Sequence, residues 1–200
     1  MRRIAAGLFL CFVLSGCMLS RSVETDEVGI RNFYENLEEI EQKITISAEF
    51  PNYVSEYLIT YEYRKDGDHL LTVLEPESIA GVTVTLRDGA AVLSVDELQL
   101  ETGSLDKNGL TPISALPKLF DSWETHPSGV ESVRENGCDY LLLDYEDDAV
   151  LYRTVFSRET YLPIRAEVFC DDECVLRLQY AAEGEQSSVS TESNLGGDLS

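Results

Sequence analysis

The chain has 200 residues, with 37 Asp or Glu against 15 Lys or Arg, and a formal charge of −22 at pH 7. That sign excludes nucleic acid as a partner, since phosphate contacts need clustered Lys and Arg, and it repels the domain from anionic lipid headgroups. The length suffices for one domain with a real core, and the acidity either keeps that domain soluble or selects a basic protein partner.

Arg2 and Arg3 open the chain, and an apolar run from Ile4 to Leu14 follows, broken only by small residues. A basic start and a short apolar core make an export signal too short for a stable membrane span. The run ends in Leu14-Ser15-Gly16-Cys17, which resembles the lipobox of bacterial lipoproteins. The resemblance implies that residues 1–16 are a signal peptide and that Cys17 is the acylated first residue of the mature protein. Several acyl chains then anchor the exported protein to the outer face of the cell membrane, or to an outer membrane where one exists. Residues 17–26 are the lipidated cysteine and a linker, 27–182 the folded domain, and 183–200 a Ser- and Glu-rich tail expected to be disordered.

From Glu27 to Gln42, apolar residues at Val28, Phe33, Leu37 and Ile40 fall at helical intervals, with Thr25 as the N-cap. The period then changes to two. Ile44 to Phe50 alternates, Tyr53 to Lys65 is a long second strand, and Asp66-Gly67-Asp68 turns into His69 to Leu74. Val82 to Leu86, Arg87-Asp88-Gly89 and Ala91 to Leu100 form the next hairpin. A second helix is expected with Ser114 as its cap and Pro117 in its first turn; Leu116, Leu119, Phe120 and Trp123 then lie on one face. Strands resume at Val130–Glu135, Asp139–Tyr145, Val150–Phe156, Ile164–Cys170 and Cys174–Tyr180. This order predicts a mainly β (α+β) fold, a single curved antiparallel sheet with two helices on one face.

Cys138, Cys170 and Cys174 remain after the signal and lipid site are set aside. Cys170 and Cys174 flank Asp171-Asp172-Glu173, so a disulfide across that turn is one reading and free thiols are another. No C-x2-C pair or spaced histidine points to a metal, and no cofactor motif is present. His69 and His126 have no nucleophile motif beside them, and the acidic runs at 144–148 and 171–173 lack the ligand alternation of a calcium loop. The chain reads as non-enzymatic.

Three stretches carry a wider resemblance: the opening helix with Ile44 to Phe50, the strand exit Leu74-Glu75-Pro76-Glu77, and Val155 to Val168 around Thr160 and Pro163. Together they resemble the Lol-type (LolA/LolB-like) lipoprotein-carrier family. That resemblance implies an open half-barrel whose concave face is covered by the helices and holds an acyl chain or a lipoprotein ligand. Leu116, Leu119, Phe120 and Trp123 are then the groove or lid candidates. The same fold occurs in a germination lipoprotein, which implies the alternative of a regulator that binds an envelope or cortex enzyme.

Overall fold

The computed structural model describes residues 22–50, 52–96, 98–105, 109–182 and 189–191. The signal peptide, Cys17 and tail residues 183–188 and 192–200 lie outside the described residues.

Helix α1 spans Val23–Glu35. Its N-cap is Ser22, whose hydroxyl accepts from the Thr25 amide at 3.2 Å, so Thr25 belongs to the first turn rather than to the cap. The helix also stops earlier than its apolar spacing suggests. Asn36 donates from its side chain to the Asn32 carbonyl at 2.7 Å, and Leu37 begins strand β1, Leu37–Phe50. Leu37 and Ile40 fit a helical stripe, but β1 pairs with β2 (Tyr53–Arg64) from Glu39↔Arg64 to Phe50↔Tyr53, and that long ladder overrides the local preference.

The remaining strands are β3 (His69–Glu75), β4 (Thr83–Arg87), β5 (Ala90–Val95), β6 (Leu98–Ser104), β7 (Gly129–Glu135), β8 (Cys138–Asp147), β9 (Val150–Ser157), β10 (Pro163–Cys170), β11 (Glu173–Tyr180) and β12 (Val189–Thr191). The expected single strand from Ala91 to Leu100 is two strands, because Asp96 turns the chain at φ +52°. Asp tolerates that left-handed geometry through its short polar side chain. Asp88-Gly89, Asn136-Gly137 and Asp171-Asp172 each hold two successive positive φ values, the geometry of two-residue hairpins whose twist matches the strands they join.

The twelve strands of the described residues form one antiparallel sheet, ordered β6-β5-β4-β3-β2-β1-β11-β10-β9-β8-β7. β12 shares the lane of β11. β11 ends with Tyr180 opposite Ile44, which leaves the start of β1 unpaired on that side, and β12 fills it opposite Leu37 to Ile40. Part of the tail expected to be unstructured is therefore a strand, because β1 offers it open backbone groups.

The sheet's two edges, β6 and β7, are consecutive in sequence, and the link between them contains helix α2, Pro112–Trp123. α2 thus bridges the open mouth of a curved half-barrel. Its N-cap is Thr111, joined to Ser114 in a reciprocal capping box, so Ser114 is the third helical residue and Pro117 lies mid-helix. Cys138, Cys170 and Cys174 are all free. Cys174 lies opposite Phe169 and Cys170 opposite Glu173, so the two thiols sit on opposite faces of the hairpin and the expected bridge across the turn is not formed.

Candidate functional site

The concave face is built by period-two alternation. On β1, Ile40, Gln42, Ile44, Ile46 and Ala48 all point inward and are buried. Their partners Tyr61, Ile59, Leu178 and Leu176 extend the same surface. α2 presses its stripe onto it, and Leu116, Leu119, Phe120 and Trp123 are at most 1% exposed. The Phe120 ring stacks on Tyr63 at 4.6 Å, and Trp123 lies 4.8 Å from Tyr34 and 5.3 Å from Phe156. The Trp123 indole donates to the Thr154 hydroxyl at 3.0 Å, pairing two buried polar groups. The four groove candidates are core, and aromatic rings fill the middle of the half-barrel.

Polar ties hold both helices at the rim. Asp26 on α1 is fully buried and accepts from Arg158 Nε at 2.6 Å, which joins α1 to the β9–β10 connection. Lys118 on α2 pairs with Asp147 at 2.8 Å, and Tyr63 donates to Glu124 just past the helix end. The Arg31 guanidinium on α1 lies 2.8 Å from Nδ1 of His126. Clefts of about 220 and 510 Å³ flank α2, the first beside Tyr145 and Tyr152, the second beside His69 and Arg87. The helix is therefore seated by one apolar stripe and a few rim contacts, with open space along both sides.

Close approach fixes α1 as well. A Cβ on Gly29 would collide with the Tyr161 hydroxyl and lie 2.6 Å from its ring. Gly29→Ala is expected to lower stability by about 1–3 kcal/mol, since overpacking outweighs the gain in helix propensity. A lower urea midpoint is the check; a higher one would mean that Tyr161 moves aside freely.

Sequence reading missed His69 as part of this site. Its Nδ1 lies 2.7 Å from the Tyr61 hydroxyl, below the rings of Tyr61 and Tyr63. Burial holds the His69 pKa below its usual value, against the opposing pull of Asp121. The unfolded chain thus protonates here first, so the stability contribution is full above about pH 6.5 and is lost as pH falls toward the folded value. Burial raises Asp121 and Glu124, whose contributions have the opposite sign, growing as pH falls. The difference between wild type and His69→Gln isolates the histidine. Wild type should lose stability relative to the variant between about pH 7 and 5.5 in urea titrations; parallel profiles would contradict the assignment.

The apolar concave surface runs beyond the helices. Leu93 is opposite the buried Val84, Leu100 is opposite Leu93, and Leu98 is opposite Val95, which puts all four on the concave side. Leu98 and Leu100 are nonetheless 78% and 65% exposed. Phe50 and Tyr53 continue the β1 and β2 inward rows and stack at 4.7 Å, also exposed. One end of the half-barrel therefore offers uncovered apolar surface that is continuous with the core. The signal for it lay in the parity of Leu93, Val95, Leu98 and Leu100, which a single long strand hides.

Among the described residues no cluster of three or more His, Cys, Asp or Glu is placed to hold a metal ion. No described helix is long and apolar enough to cross a membrane.

No family model and no curated protein matches the chain. Several solved structures do match. Each is similar to this chain in fold alone. The LolA superfamily protein from Nitrosomonas europaea has 11% identity and a TM-score of 0.45 over 80% of this chain and 92% of that one. Lipoprotein LppX of Mycobacterium tuberculosis has 9% identity and a TM-score of 0.42 over 82% and 96%. LprF of Mycobacterium bovis has 8% identity and a TM-score of 0.43 over 84% and 96%.

Proposed function

We propose that this is an exported, non-enzymatic binding protein, anchored through Cys17, that holds an acyl chain against the concave face of its half-barrel. The exposed apolar extension at Phe50, Tyr53, Val95, Leu98 and Leu100 carries this reading. It gives a chain a place to land that leads directly beneath α2, whose apolar stripe exchanges sheet contacts for ligand contacts when it lifts. Burial of a long alkyl chain provides the driving force, at about 0.8 kcal/mol per methylene.

Trp123 supplies the test, as the only tryptophan of the chain. The full chain carrying Cys17→Ser, titrated with a bromine-labelled fatty-acid methyl ester, should show saturable quenching of Trp123 emission. Absence of quenching at concentrations below micelle formation would remove the acyl chain from beneath α2.

A second reading has one observation in its favour. β6 is an edge strand in which every residue is exposed, and its free backbone groups suit strand addition by a basic envelope protein. Salt-sensitive capture of one envelope enzyme, lost on Leu100→Pro, would support that regulator role.

A further inference from the structure

The concave face is apolar except at a few inward-pointing polar side chains, and most of these are paired. The Tyr61 hydroxyl meets His69, the Tyr34 hydroxyl donates to the Tyr161 carbonyl at 3.3 Å, and Thr154 receives Trp123. Gln42 and Tyr180 are different. Gln42 is fully buried with neither amide atom hydrogen-bonded among the described residues, and the Tyr180 hydroxyl, on a side chain 4% exposed, is likewise unpartnered.

The sheet register brings the two together. Tyr180 lies opposite Ile44, and Gln42 is two residues earlier on the same face of β1, so they are diagonal cross-strand neighbours roughly 7–8 Å apart. The Tyr180 ring lies 6.3 Å from Trp123 of α2, and Tyr61, the cross-strand partner of Gln42, lies 5.5 Å from Phe120 of the same helix. Lifting the helix uncovers them.

We propose that Gln42 and Tyr180 form a polar seat for the secondary amide of an N-acylated ligand whose alkyl chain lies along the concave face. The inference rests on the acyl-binding reading and adds the chemical class of the ligand. Gln42 presents an acceptor and two donors, and Tyr180 adds a hydroxyl that does either. A secondary amide offers one N–H and one C=O, which satisfy the Gln42 carbonyl and one of the two donors together. An ester offers acceptors only and leaves the Gln42 carbonyl buried and unpaired. A carboxylate brings a charge to a face where the described residues place no cation among Gln42, Tyr61, Tyr180 and Trp123.

The test uses the full chain carrying Cys17→Ser and competition against the bromine-labelled methyl ester, read by Trp123 emission. N-methylpalmitamide should displace the probe at about one tenth of the concentration of methyl palmitate, the value of one well-made buried hydrogen bond. Gln42→Leu and Tyr180→Phe should bring the two probes to within about twofold of each other. Both variants should be at least as stable as wild type without ligand, because each replaces an unpaired buried polar group by an apolar one. Equal binding of amide and ester by wild type would overturn the proposal while sparing the acyl-binding reading. Loss of stability in both variants would also overturn it, by assigning the two side chains to buried water in a structural role. Failure of every probe would overturn both readings at once.

Discussion

Trp123→Ala is expected to cost about 3–5 kcal/mol, a large share of the roughly 5–15 kcal/mol that stabilises a typical domain. The indole is the meeting point of α1, α2 and the sheet, with Tyr34, Phe120, Phe156 and Tyr180 around it. Truncation removes those contacts and strands the Thr154 hydroxyl, which is fully buried and receives the indole N–H. Urea unfolding followed by circular dichroism is the measurement. Trp123→Phe should recover most of the loss, and a small cost for the alanine variant would mean that α2 contributes little to the core.

Arg158→Met should cost about 2–4 kcal/mol, because it removes one partner from a buried ion pair and leaves the Asp26 carboxylate inside the fold. The reverse change, Asp26→Ala, should cost less, as Arg158 keeps partial access to water. Replacing both by apolar residues should restore part of the stability lost in Arg158→Met. A double-mutant cycle reads the coupling directly, and a coupling near zero would contradict the view that this pair fastens α1 to the β9–β10 connection.

These two sites also mark where sequence reasoning succeeds and where it fails. Trp123 was legible because Leu116, Leu119, Phe120 and Trp123 repeat at helical spacing, a local signal that survives without knowledge of the fold. The hairpins were legible for the same reason, since Asp-Gly and Asn-Gly pairs specify turn geometry at two residues. The Asp26–Arg158 pair joins residues more than a hundred positions apart, and nothing near either one announces the other. Gln42 was hidden differently. Leu37 and Ile40 satisfy a helical stripe, and only the ladder with β2 and β11 sets Gln42 on the inward parity of Ile40 and Ile44. Whether Leu119 covers a groove or fills a core was equally beyond the pattern, because both uses demand the same apolar face.

The filled interior and the uncovered end fit a single mechanism. Aromatic rings of α2 occupy the concave face, and this keeps a large apolar surface out of water. On the acyl-binding proposal, the apolar extension at Leu98 and Leu100 is where a chain first lands, and the rim contacts of α2, mainly Lys118–Asp147 and Tyr63–Glu124, are few.

Native mass spectrometry of the full chain carrying Cys17→Ser, purified from cells without detergent, tests this most directly. The account predicts a one-to-one adduct of lipid mass that diminishes when Leu98 and Leu100 are both changed to Ser. A protein that carries no adduct, alone or after incubation with acyl amides, would contradict it.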